Sequence, residues 1–155
     1  MVAERGPCDV WFYHLERSRL DQVLPDLLEK TLARGWRALV RSPAADRIER
    51  LDDWLWAYRD DSFLPHGVAG EPLADRQPVL LTAGADNPNG AQALFLIDGA
   101  ETGDLAGVER CILVFDGADE AAVAQARVEW TRFKAAGHAV AYWKQGEERG
   151  WVKQG

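Results

Sequence analysis

Three histidines, two cysteines and a surplus of carboxylates are the residues of this chain most able to do chemistry. His66 sits in the stretch DSFLPHGVAGE, residues 61–71, a few positions after Asp60 and Asp61. A histidine and a carboxylate at that spacing suit a general base and its orienting partner. On that reading His66 and Asp61 would serve a small α/β enzyme acting on a small molecule. No Ser or Cys stands in a nucleophile-elbow setting such as Gly-x-Ser-x-Gly, so His66 reads better as a fastener of its loop or as part of an interface. His14 ends an apolar run and His138 begins another. Cys8 and Cys111 each open a strand-like run and are expected to be buried, reduced thiols. Neither belongs to a Cys-x-x-Cys or Cys/His cluster, so no metal and no cofactor is expected. The first strand-to-helix turn, HLERSRLD, has two acids and no glycine, where a dinucleotide site needs glycines to let the backbone approach pyrophosphate. The evenly spaced Gly99, Gly103 and Gly107 lack the lysine of a phosphate-binding loop and read as a flexible connection.

The elements that would position these residues alternate. Val10–Tyr13, Trp36–Val40, Pro78–Thr82, Ala93–Ile97, Cys111–Phe115 and His138–Trp143 are apolar runs of strand length. Leu20, Val23, Leu24, Leu27, Leu28 and Thr31 recur at helical spacing; that helix either starts properly at Pro25 or kinks there, and Gly35 ends it. Asp46–Tyr58 and Asp119–Ala136 are two further helices. Strands alternating with helices predict an α/β fold with a mainly parallel sheet covered by helices. One domain is expected over residues 1–145, with 146–155 as a flexible C-terminal tail.

The composition excludes some functions. The 155 residues are 47% hydrophobic and 28% charged, as in a globular domain with a real core. No apolar run approaches the roughly 18–20 residues of a membrane span, and the N-terminus lacks a signal-peptide layout, so a cytoplasmic protein is expected. The net charge of −7 argues against DNA as the main ligand, since displacing phosphate counterions takes a basic surface. Seven tryptophans are many for this length, and aromatic side chains favour protein interfaces.

Two helices carry residues where packing does not want them. In the second, Ile48, Leu51, Leu55 and Tyr58 form the apolar stripe, while Trp56 lies roughly 130° from its centre. Trp56, Phe63 and Pro65 therefore suggest an exposed aromatic patch. In the last helix, Ala122, Ala126, Trp130 and Phe133 share a face. Arg127 and Lys134 stand two turns apart on its flank with Thr131 between, a strip able to hold an acidic peptide or a terminal carboxylate.

The segment RLDDWLWAYRDDSFLPHGVAGE, from Arg50 to Glu71, resembles the signature region of the chi subunit of bacterial DNA polymerase III. The aromatic first strand, RGWRALV, and the ARVEW…AAG pattern near the end are similar too, with a weaker middle over 83–107. The resemblance implies a Rossmann-like α/β fold without nucleotide, in a non-catalytic accessory subunit of the clamp loader. Such a subunit binds the acidic C-terminal tail of single-stranded DNA-binding protein, which ends in Pro-Phe, and contacts the psi subunit, or a helicase, through a separate surface. It implies tail contacts at Arg127, Trp130, Thr131, Lys134 and Phe115, and psi or helicase contacts at Trp56, Phe63 and Pro65. Val123 and Thr131 fall where relatives carry lysines, and Asp116 where one carries an apolar residue; Lys134 or Arg132 would have to compensate.

Overall fold

The computed structural model describes residues 8–16, 18–57, 64–103, 105, 107–145 and 151–154. Eight strands form one sheet: β1 (Asp9–Leu15), β2 (Ala38–Arg41), β3 (Gly67–Val68), β4 (Val79–Thr82), β5 (Ala93–Leu96), β6 (Arg110–Asp116), β7 (Ala139–Gln145) and β8 (Trp151–Lys153). Their order across the sheet is β3-β4-β2-β5-β6-β1-β7-β8, and only the β7–β8 pair is antiparallel. Helices α1 (Leu20–Ala33), α2 (Ala45–Ala57) and α3 (Glu120–Ala135) complete the fold.

Strands buried on both faces read as continuous apolar runs, and the central strands ALVR, VLLT and ALFL are buried at every position. Alternate residues of β1 divide the core. Tyr13 and Leu15 pack with Leu24 and Leu28 of α1 and Leu51 and Leu55 of α2. Val10 and Phe12 pack on the opposite face with Ala126 and Phe133 of α3. The result is a Rossmann-like three-layer α/β architecture.

Pro25 does not start α1: the helix runs through it from Leu20 to Ala33. A proline inside a helix leaves the carbonyl four residues back without its N–H partner. That carbonyl belongs to Asp21, and the indole N–H of Trp54 on α2 donates to it at 2.5 Å. The irregularity in α1 is thereby converted into a bond between two helices. Gly35, at φ 88°, ends the turn after α1, as the sequence suggests.

Two strands were not foreseen. β3 is only Gly-Val and pairs with β4, too short to leave a periodic signal. β8 lies inside the segment read as a flexible tail: Trp151 to Lys153 pair with β7, and the Trp151 ring stacks on Tyr13 at 4.6 Å. A single tryptophan anchors this strand, which hydropathy averaged over KQGEERGWVKQG conceals. Residues 146–150 and 155 lie outside the described residues. Among the described residues no helix is long and apolar enough to cross a membrane.

Candidate functional site

The C-terminal ends of β1 and β6 are where an open α/β sheet places a ligand, because the two chain crossovers leave in opposite directions there. A cleft of about 830 Å³ opens at this point. Glu16, Asp21, Asp98, Asp116 and Asp119 line it against Arg19 and Arg47. Both arginines already face carboxylates, Arg47 on Asp98 at 3.1 Å and Arg19 on Asp21 at 3.5 Å. Such a wall repels phosphate, in keeping with the glycine-free first turn. The Gly99–Gly107 connection is pinned rather than loose at one point. Arg41, 3% exposed, donates to the carbonyls of Gly84, Asp86 and Thr102 at 2.5–2.8 Å, tying two loops to the end of β2.

His66 is enclosed. Its Nδ1 lies 2.8 Å from the carbonyl of Leu64, its Nε2 lies 3.0 Å from the Asp52 carboxylate, and the Trp56 ring covers it at 4.3 Å. Nε2 ties the loop to Asp52 of α2, Nδ1 holds the loop's own turn at Leu64, and the residue is only 4% exposed. Asp60, Asp61 and Phe63 lie outside the described residues. Cys8 and Cys111 are buried and form no disulfide, and burial pushes the Cys111 thiol far above its usual range. Among the described residues no cluster of His, Cys, Asp or Glu could hold a metal.

Aromatic surface accumulates in two places. At the end of α2, Trp56 is 54% exposed, in agreement with its place off the apolar stripe, and Pro65 is half-buried nearby in the chain. The second place is the α3 face. Phe115 of β6 and Trp130 of α3 do not touch directly; Tyr142 of β7 stands between them, 6.0 Å from each. Phe12 lies beneath, 5.5 Å from Trp130 and 6.3 Å from Tyr142. Tyr142 is fixed by its hydroxyl, 2.6 Å from His14 Nδ1. Burial raises the Tyr142 phenol above its ordinary range, and the nearby Arg127 guanidinium partly offsets this. Gly117 is required by the same network, since a Cβ there would come within 2.0 Å of the His14 ring.

Tyr142 and His14 complete a ledge that sequence reasoning missed. The signal was present in the alternation of AVAYWK, which puts Tyr142 on the face of Val140. Only the β1–β7 register, Phe12 opposite Tyr142, places it between Phe115 and Trp130.

Arg127, Thr131 and Lys134 are exposed along one flank of α3. Thr131 turns its hydroxyl back onto the Arg127 carbonyl at 3.2 Å. Neither Arg127 nor Lys134 forms an ion pair among the described residues. Arg132 is differently placed: it is paired with Glu129 and donates to the Thr102 hydroxyl at 3.0 Å. It is therefore engaged within the fold, which leaves Lys134 as the second open cation. Asp116 accepts from the Ala118 N–H at 2.9 Å, and Asp119 caps α3 through the N–H groups of Ala121 and Ala122. One end of the ledge is thus acidic and the other cationic.

These features define an α/β protein of Rossmann-like architecture whose accessible specialised surfaces are aromatic and charged ledges. Residues 8–141 match the model of the family described as "DNA polymerase III chi subunit, HolC", and the chain belongs to that family. It is 27% identical over 103 residues to the "Probable DNA polymerase III subunit chi" of Rickettsia prowazekii (strain Madrid E). That match covers 66% of this chain and 62% of the relative's length.

Proposed function

We propose that the protein is a non-catalytic accessory subunit of the DNA polymerase III holoenzyme, working in the cytoplasm during DNA replication. It links the clamp loader, through the psi subunit, or alternatively a helicase, to the C-terminal tail of single-stranded DNA-binding protein. Family membership supports the replication role. The observation that supports tail binding is the ledge of Phe115, Tyr142 and Trp130 beside the open guanidinium of Arg127.

On this reading the terminal phenylalanine of the tail enters beside Phe115, where Leu113, Ala122 and Ala126 line a small apolar cleft. Its carboxylate and neighbouring acids meet Arg127 and Lys134 through charge-assisted hydrogen bonds. Asp116, Asp119 and Glu120 crowd the start of α3, so an acidic peptide must run toward the helix's C-terminal half to avoid them. One buried ring and a few such bonds suit micromolar affinity, about −8 kcal/mol. Many tails on one coated strand then supply hold through avidity. The separate surface for psi or a helicase is assigned to Trp56, Phe63 and Pro65, as the family resemblance implies.

The test is a titration with a labelled peptide copying the tail of the cognate single-stranded DNA-binding protein, beside the same peptide without its final Phe. Binding that disappears with that Phe is expected. Equal binding of both peptides would refute the ledge as a tail site.

A further inference from the structure

The opposite face of the sheet holds a cleft of about 390 Å³ that neither proposed surface uses. It lies between the C-terminal turns of α1 and the first residues of β5 and β6. Leu27, Phe95 and Ile112 give it an apolar floor. Lys30, Arg34 and Arg110 supply charge, and among the described residues its lining contains no carboxylate. This is a local excess of cation in a protein of net charge −7.

The arginines are held rigidly. Arg110 lies over the Trp11 ring at 3.7 Å and 5.2 Å from the centre of Trp36, while Arg34 lies over Trp36 at 4.2 Å. A guanidinium stacked on an aromatic face keeps its in-plane N–H groups free to bind. Among the described residues the Nε of Arg110 is buried with no hydrogen-bond partner, and the carboxylate that faces this guanidinium, Asp9, is 4.0 Å away. Neither Lys30 nor Arg34 forms an ion pair among the described residues. Burial, then the proximity of Arg34, disfavours the charged form of Arg110. Two like charges drawn together are a cost that an arriving anion would relieve.

We infer that this cleft binds a small organic anion, a phosphate or carboxylate group carried on a flat apolar ring. The ring rests on Leu27, Phe95 and Ile112, and the anion meets Arg34, Arg110 and Lys30. The size falls within the range of small-molecule sites, roughly 300–1,000 Å³. Lys30 and Arg34 also suit the negative end of α1. Arg110 comes from β6, however, and owes nothing to that helix end. Substituting it would disturb the packing of Trp11, so Arg34 is the residue to change.

The full chain would be titrated with phenyl phosphate, benzoate and neutral phenol, following the indole N–H resonances of Trp11 and Trp36 by NMR. Saturable shifts with phenyl phosphate or benzoate, and none with phenol, are expected; the stronger of the two assigns phosphate or carboxylate. Arg34→Ala should weaken that ligand about tenfold, the effect of losing one charged hydrogen bond, with an unchanged melting temperature. No saturable shift with either anion, or equal affinity in the variant, would overturn the inference. So would displacement of phenyl phosphate by a single-stranded oligonucleotide at far lower concentration, which would make the cleft a nucleic-acid contact.

Discussion

The α3 ledge and the Trp56–His66 corner both present aromatic surface, but they hold it by different means. On the ledge, Phe115 and Tyr142 project from β6 and β7, the two strands that flank β1, and Trp130 leans on Tyr142 from a helix. At the corner, Trp56 closes over a loop that one buried histidine fastens to α2. A ledge built on strands keeps its shape when a surface residue changes, whereas a corner pinned by one side chain depends on that pin. Substitutions on the ledge should therefore alter binding without altering stability, whereas loss of the His66 pin at the corner should above all cost stability.

The comparison breaks first, if it breaks, at His66. His66→Ala removes two polar contacts and a buried ring, and should cost about 2–4 kcal/mol in denaturant unfolding. A smaller loss would mean that the loop is held by something else. On the ledge, Arg127→Ala should lower affinity for the tail peptide about tenfold or more, with an unchanged unfolding midpoint. Unchanged affinity would remove Arg127 from the proposed site.

Trp54 sharpens the corner's role. Trp54→Phe leaves the Asp21 carbonyl without a donor and should cost about 1 kcal/mol. Restoring a backbone N–H with Pro25→Ala should abolish that penalty in a double-mutant cycle. Trp56→Ala, at a half-exposed position, should cost less, about 1 kcal/mol at most, yet weaken the psi or helicase partner measurably in a pull-down assay.

The smallest effect concerns Glu16. The hydrogen bond from Lys144 lowers its carboxyl below the usual range, with His14 contributing less. A lowered folded-state value means that the contribution is present above the ordinary carboxylate range and is lost as pH falls through the lowered one. Glu16→Gln should be slightly less stable than the parent at pH 7 and equal to it once the pH has fallen below that lowered value, as read from melting curves.

Much of this was legible in the chain itself. Runs such as VLLT and ALFL read as strands buried on both faces and are so, and the stripes named by spacing are buried from Val23 to Thr31 in α1 and at Ile48, Leu51 and Leu55 in α2, while Tyr58 lies outside the described residues. Trp56 was expected off its stripe and is exposed. Pro25 was ambiguous because its effect depends on a residue 29 positions away, and β8 because its pairing with β7 is carried by a short Trp-Val-Lys run.

By itself, the sequence determined the layer order, the buried strands, the family and the aromatic and basic residues left over on two helices. Each of these follows from local periodicity or from a contiguous motif. Tertiary structure decided the rest. It put Tyr142 between Phe115 and Trp130, tied Arg132 to Thr102, sealed His66 under Trp56, and stacked Arg110 on Trp11. Each of those outcomes depends on strand register or on a neighbour distant in the chain, and periodicity along one segment carries no information about either.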